Sequence, residues 1–433
     1  MIMQKIQELY QHFLGSPKIA TDSRVEVEGS LFFALSGDNF NGNRFAKEAL
    51  LKGASLAIID DESFDEKNGK YFVVKDVLLA LQNLALYHRE CSKTLVVGIT
   101  GSNGKTTTKE LISRVLQTEK ELISTKGNLN NHIGVPLTLL RITQKTQVAI
   151  VEMGANHPGE IAALCQIARP NMGIITNIGK AHLEGFGSFE GVVKTKNELY
   201  DFIRTNNGTA IVNADDPLLM ELSEGLHRIT YGTDTGDIVG ELLEEKPTLK
   251  IAATTFQENR ISISSQLYGR YNFPNILAAI ALGKYFKLKN KHIIKAIEGY
   301  IPDNSRSQLL KTEHNQIFLD AYNANPVSMD AAIQSFNSYQ TALPWLILGD
   351  MFELGEAAAS EHQKIVDLVN ELNFKNVYFI GSLFGKTRIA DNQLHFDTTA
   401  KALEYLHKNP ILQANILIKG SRGMQLEKLV AAL

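Results

Sequence analysis

The 433 residues carry 44 Lys and Arg against 47 Asp and Glu, a formal charge of −3, and are 44% hydrophobic with only 11 Pro. At about 150 residues per domain this length exceeds a single core and predicts three units. The near-neutral balance without blocks of one sign excludes a nucleic-acid footprint or an acidic tail, and the apolar content excludes a disordered or collagen-like chain.

The amino-terminal MIMQKIQELYQHFLG reads as an amphipathic helix with Ile2, Ile6, Leu9 and Phe13 on one side, without the h-region of a signal peptide. TDSRVEVEGSLFFALSG then carries strand-like apolar residues, 43–54 is helix-like, and SLAIID and YFVVKD read as strands, so 1–85 is expected to form a small α/β unit. From Thr94 the pattern becomes short buried strands separated by helices: TLVVGIT, VAIVEM, MGIITNIG and TAIVNADD. Such runs predict a mostly parallel sheet covered on both faces, in a central unit at 86–300. Within it, TLKIAATTFQENRISISSQ reads as an exposed antiparallel ribbon ahead of the helix NFPNILAAIALGKYF. A third unit, 301–433, repeats the α/β pattern in IFLDAY, LPWLILGD, NVYFIG and NILIKGSRG, as a Rossmann-like parallel sheet with its ligand loops at the strand ends.

Only Cys91 and Cys165 occur, too few for a disulfide scaffold or a thiolate zinc site, which fits a reducing compartment. No apolar run approaches the roughly 20 residues that span a bilayer. The expectation is a cytoplasmic protein without membrane insertion.

The chemical signal is VVGITGSNGKTTTKELI: an apolar strand, a glycine turn, Lys105, and a helix opening on three threonines. Gly101 and Gly104 let the backbone turn so that the amides of Thr100 to Gly104, Ser102 and Asn103 among them, face phosphate oxygens at a helix amino terminus. Lys105 would reach the β and γ phosphates, Thr106 stands where a hydroxyl holds Mg2+, and Thr107 adds a second hydroxyl. ATP is the expected occupant. The longer phosphate-loop spacing would need a glycine where Ile99 stands, so the match is to the shorter GxxGKT form. Glu152, ending VAIVEM, and His182, after IITNIGKAHLEGFG, are further candidates for a cation site. His132, His157 and His362 read as surface or hydrogen-bonding histidines.

These segments, with GNLNNHIGVP, VEMGANHPGEI, TNIGKAHLEGFGS, KTKNEL, YNFPNILAA, DAYNANPVSM, LGDMFELG and KGSRGM, resemble the Mur ligases over nearly the whole chain, in family order. DAYNANPVSM and LGDMFELG place the likeness in the branch that adds D-alanyl-D-alanine to a UDP-N-acetylmuramoyl-tripeptide. The resemblance implies a three-domain architecture: a UDP-substrate domain, a P-loop ATPase-like domain, and a closing domain for nucleotide and dipeptide. It implies ATP and Mg2+ and an acyl-phosphate intermediate in peptidoglycan precursor synthesis; a monomer is expected, with the oligomeric state left open by the sequence. It assigns Lys105, Lys196 and His182 to catalysis, with Lys196 carbamylated and joining Thr106, Glu152 and His182 as metal ligands; Lys194 is the nearby rival. Thr21, Asp22, Ser23, Arg24, Asn128 and Asn131 fall on the UDP-substrate side, and Asn272, Arg306 and Asp320 on the ATP side. Tyr322, Asn323 and Asn325 fall on the dipeptide side. Two departures stand out: Tyr271 where histidine is common, and Asn304-Ser305 where Gly-Arg is usual. The competing readings are a Mur-type ligase that adds a single amino acid and a noncatalytic nucleotide-dependent interaction protein.

Overall fold

The computed structural model describes residues 2–37, 39–254, 260–339 and 343–433, and among them the strands form three sheets. The first is all parallel: β1 (Ile19–Ala20), β2 (Leu31–Phe33), β3 (Leu56–Ile59) and β4 (Tyr71–Val73), side by side in chain order. The helix Ile2–Gly15 lies ahead of it and buries Ile6, Leu9 and Phe13. The side chain of Ile2 lies outside the described residues.

The central sheet contains β5 (Leu95–Thr100), β6 (Leu122–Ser124), β7 (Val148–Glu152), β8 (Met172–Ile175), β9 (Thr209–Asn213), β10 (His227–Gly232), β11 (Ile238–Glu244), β12 (Lys250–Thr254) and β13 (Arg260–Ser264). Its order is β13-β12-β11-β10-β9-β8-β5-β7-β6, parallel except where β12 pairs with β11 and β13. β5 therefore lies between β7 and β8, where the connections part to either side, and the loop that follows it opens at a switch point.

The expected exposed ribbon is corrected here. β12 and β13 extend the central sheet, and Ile251, Ala253, Ile261 and Ile263 are buried in the same core as the helix Phe273–Tyr285. The alternation seen in Arg260–Ser264 is that of an edge strand with one covered face. The stretch 255–259 of that segment lies outside the described residues.

The third sheet runs β14 (Gln308–Lys311), β15 (Gln316–Asp320), β19 (Asn415–Lys419), β16 (Pro344–Gly349), β17 (Asn376–Ile380) and β18 (Leu394–Phe396), with only β14 antiparallel. Helices cover both faces, including Pro326–Ser338, which opens on a capping box between Asn325 and Ser328 followed by Pro326.

The helix Val77–Glu90, capped by Asp76, runs through residue 85 from the first unit into the central one. It packs against both Ile2–Gly15 and the central helices Gly134–Leu139 and Glu160–Ala168. One apolar core results, joining Leu9, Phe13 and Phe33 to Leu84, Leu139 and Leu164. No helix among the described residues is long and apolar enough to cross a membrane.

Candidate active site

The carboxyl ends of the central and third sheets face a cavity of about 940 Å³. Its floor is the turn between β5 and the helix Lys105–Leu116. Gly101 takes φ +139° and a Cβ there would meet Thr176 Oγ1 at 2.0 Å, while Gly104 takes φ +79° against the amide of Asn275. Both positions accept only glycine without rebuilding the turn. The loop is tied from below: Ser102 N–H donates to the Asn177 carbonyl at 2.9 Å, and Asn103 N–H to Asn177 Oδ1 at 3.0 Å. The Thr176 hydroxyl and the Asn177 amide in turn donate to the Asn103 carbonyl. Thr100 and Gly101 lie beneath the cavity, whereas Ser102 to Thr107 line it.

Lys105 folds back over this loop, donating to the carbonyls of Gly101 at 2.7 Å and Ser102 at 3.2 Å. Desolvation pulls its ammonium below the usual lysine range; Glu152 opposes the shift and Arg306 adds to it. A polyanion placed over the loop would reverse that cost. Beside it, buried Glu152 accepts from the Thr106 hydroxyl at 3.0 Å and from Asn130 Nδ2 at 2.9 Å.

His182 lies on the cavity wall in a left-handed turn, φ +53°, with Nδ1 against the Glu353 carboxylate of the third unit. That contact holds the Glu353 carboxyl below its ordinary range. Lys196 is 2% exposed and does not line the cavity; its Nζ sits 5.4 Å from the Phe186 ring centroid. Burial, then repulsion from Lys105, lowers its pKa to about 7. Lys194 is exposed. Thr106 and Glu152 thus meet, while His182 and Lys196 are each occupied elsewhere. Among the described residues no three His, Cys, Asp or Glu side chains gather into a metal-sized group.

The opposite wall belongs to the hinge and the third unit. Arg306, between the left-handed residues Ser305 and Ser307, stacks on Tyr322 with Cζ 3.5 Å from the ring centroid. Asn272 is buried and donates to Ser307 Oγ at 2.8 Å, and its Oδ1 accepts from Asn275, which itself accepts from Thr108. Tyr271 lines the cavity with its hydroxyl 3.3 Å from Ser307 Oγ. Asp320, Tyr322 and Asn323 line it too. Asn325 does not: its amide caps the helix that follows and pairs with Asn103 across the units, Nδ2 to Oδ1 2.7 Å.

Asn128, Asn131 and His132 line the cavity. Asn131 Oδ1 also accepts the amides of Ile133 and Gly134. Thr21 to Arg24 lie away from it, in a turn with Ser23 buried and Arg24 exposed, where the Arg24 guanidinium grips Asp22 and holds that carboxyl down at about 2. His362 is fully buried as a brace, donating from Nδ1 to the Ala358 carbonyl and accepting the Met351 amide on Nε2.

Similarity to known proteins decides what this arrangement belongs to. The Mur ligase middle domain matches residues 99–283, and the Mur ligase glutamate ligase domain matches 305–422. UDP-N-acetylmuramoyl-tripeptide--D-alanyl-D-alanine ligase of Bacillus subtilis is 34% identical over 100% of this chain and 98% of its own length. The chain belongs to the Mur ligase family. The Escherichia coli ligase of the same name is 32% identical over 96% of this chain and 93% of its own. Among solved structures, MurF from Acinetobacter baumannii superposes with a TM-score of 0.85 at 32% identity, covering 96% of this chain and 92% of that one. MurF from Thermotoga maritima in complex with ADP gives 0.85 at 26% identity, covering 96% and 97%. The three-domain α/β architecture expected from the sequence is that of these Mur ligases.

Within this Mur ligase, several site residues escape residue-type reasoning. Asn130, Asn177 and Asn275 act as ordinary amides whose role appears only once two loops and the helix Phe273–Tyr285 converge. Glu353 and Lys419, carried by the resemblance through LGDMFELG and KGSRGM, belong to a unit that reaches the site only through the fold.

Proposed function

We infer that this chain joins D-alanyl-D-alanine to UDP-N-acetylmuramoyl-tripeptide at the expense of ATP, forming an amide bond in peptidoglycan precursor synthesis. The observation that carries this reading is the single cavity in which the phosphate loop, Glu152 and the Asp320–Asn323 loop of the third unit meet. Full-length similarity to ligases of that name supports the dipeptide as the incoming amine.

A carboxylate is a poor electrophile because oxide is a poor leaving group. In the proposed sequence a tripeptide carboxylate oxygen attacks the γ phosphorus and ADP departs. The dipeptide amine then attacks the acyl carbon, phosphate departs, and the nitrogen loses a proton. The loop amides and Lys105 hold the phosphates in line and stabilise charge on the transferring group. Asn272, Arg306 and Asp320 form the nucleotide side, Tyr322 and Asn323 the dipeptide side with Asn325 anchoring the end of their loop, and Thr21 to Arg24 with Asn128 and Asn131 the UDP-substrate side. Closure of the third unit would exclude water from the acyl phosphate.

Mur ligases typically use Mg2+, and the donor set fits it in part. The Thr106 hydroxyl and the Glu152 carboxylate are hard oxygens facing the phosphate loop, the pattern of a cation held by one carboxylate plus substrate phosphates. Bound there, Mg2+ would offset charge on the phosphoryl oxygens. Lys196 reaches no such set as an amine. A pKa near 7 leaves much of it neutral at physiological pH, the form that adds carbon dioxide, and a carbamate would supply oxygen donors that the amine lacks. We place the protein in the cytoplasm as a monomer.

ADP release is the decisive measurement, with UDP-linked tripeptide plus either D-alanyl-D-alanine or single amino acids. Turnover with the dipeptide is expected; turnover only with a single amino acid would transfer the chain to another Mur branch. Lys105→Ala should lower product formation by roughly 10²–10³-fold, the scale of one lost electrostatic donor. Unchanged ligation in that variant would remove the phosphate loop from the chemistry.

A further inference from the structure

We propose that Lys419 is a positioning residue that aims Arg306 into the nucleotide cavity by holding Asp320. Lys419 and Asp320 are register partners at the ends of β19 and β15, so both side chains emerge at the same sheet edge. Lys419 Nζ donates to Asp320 Oδ2 at 2.6 Å, and the carbonyls of Asn323 and Asp320 stand at 3.4 and 3.5 Å. An ammonium has three hydrogens, and here three oxygens of one loop receive them. The lysine is 2% exposed, a burial that lysine tolerates only when paired.

The other oxygen of Asp320 has a different task. Oδ1 accepts the amide of Ser307 at 3.2 Å, immediately after Arg306. On the other side of Arg306, the Ser305 carbonyl accepts the amide of Tyr322 at 3.1 Å. Ser305 and Ser307 are both left-handed, φ +56° and +47°, a conformation that non-glycine residues hold only when neighbours impose it. Both clamps come from the loop that begins at Asp320, and Arg306 itself stacks on Tyr322 of that loop. Lys419 fixes the loop, Asp320 passes that position to the hinge backbone, and the backbone directs the guanidinium.

This inference rests on the reading of the cavity as the ATP site and assigns Asp320 a task within it. A double-mutant cycle tests it, using Lys419→Met, Asp320→Asn and the pair together, read as the dissociation constant of ADP and the KM values for ATP and dipeptide. Each single variant should weaken ADP binding and raise the ATP KM by about tenfold, with a smaller rise in the dipeptide KM because Asn323 shares the loop. The pair should be no worse than the poorer single, because Lys419 acts through Asp320. Lys419→Arg should recover most of the loss. Additive effects, or a change confined to the dipeptide KM, would overturn the proposal. If Lys419→Met is poorly folded by circular dichroism, Lys419→Arg and the charge-neutral pair carry the same comparison. A parent protein that fails to bind ADP would instead remove the ATP-site reading itself.

Discussion

The two junctions between the three units are built from different materials. Between the first and central units a single apolar core passes without interruption, with Phe13 and Leu9 of the first helix in one cluster with Leu84, Leu139 and Tyr200. Between the central and third units the apolar contact is smaller, with Tyr268 edge-on against Phe318 at 5.0 Å and Tyr271 packed on the same core, and polar pairs supply further links. Asn103 meets Asn325, His182 meets Glu353, and Lys180 stands 3.9 Å from Glu361. The hinge between them carries two left-handed serines. Apolar packing is close and resists displacement, whereas polar pairs exchange with water at little net cost. The first junction is therefore the stiffer of the two, and the second is the one expected to yield first.

The largest effect should come from breaking the first junction. Phe13 is 1% exposed, with its ring centroid 5.1 Å from that of His88 on the connecting helix. Phe13→Ala should cost about 3–5 kcal/mol, the usual range for a buried aromatic deleted to alanine. Denaturant unfolding followed by calorimetry should still show the first and central units melting together. A separate early transition of the first unit would mean that the two cores are independent.

A smaller effect concerns the ionisable group buried in the rigid half. Lys196 lies on the helix Phe189–Thr205, whose Leu199, Tyr200 and Ile203 belong to the shared core. Its pKa of about 7 lies below the ordinary 10.5, so between these values the unfolded chain binds more protons than the folded one. Stability should then rise with pH across that window and be lowest below pH 7. Lys196→Met should be more stable than the parent at and below neutrality, by a few kcal/mol at most, with the gain fading toward pH 10. Thermal denaturation of both proteins from pH 6 to 10 in bicarbonate-free buffer measures it, and parallel curves would refute it. The same variant should lose ligase activity that bicarbonate restores in the depleted parent but not in the variant.

This contrast also separates what the sequence discloses from what it hides. β5 and the helix starting at Lys105 are legible because an apolar run, two glycines and a Lys-Thr pair are consecutive. The strands of the third unit are legible for the same reason: Gln316–Asp320, Pro344–Gly349, Asn376–Ile380 and Asn415–Lys419 are apolar runs that end at or just before Asp, Gly or Lys. The ribbon at Arg260–Ser264 reads as exposed from the sequence because the helices that cover it follow later in the chain. Lys196 is chosen by family likeness alone, since a lysine on a helix surface and one buried against Phe186 have the same letters around them. The pairing of Asn103 with Asn325 spans 222 positions and leaves no local signature.

That pair offers the finest test of the second junction, because its two ends have unequal duties. Asn103 contributes its side chain to the bridge, while Asn325 also caps the helix Pro326–Ser338 by accepting the Ser328 amide at 2.9 Å. Asn325→Ala should therefore lose about 1 kcal/mol of cap energy as well as the bridge. Asn325→Ser keeps a capping oxygen and removes only the bridge, as does Asn103→Ala on the other side. These last two variants should be within about 0.5 kcal/mol of the parent in stability. In solution scattering without nucleotide they should share an increased radius of gyration. Parent-like scattering in both would mean that the bridge does not hold the third unit against the phosphate loop, and the task would then fall to His182 and Glu353.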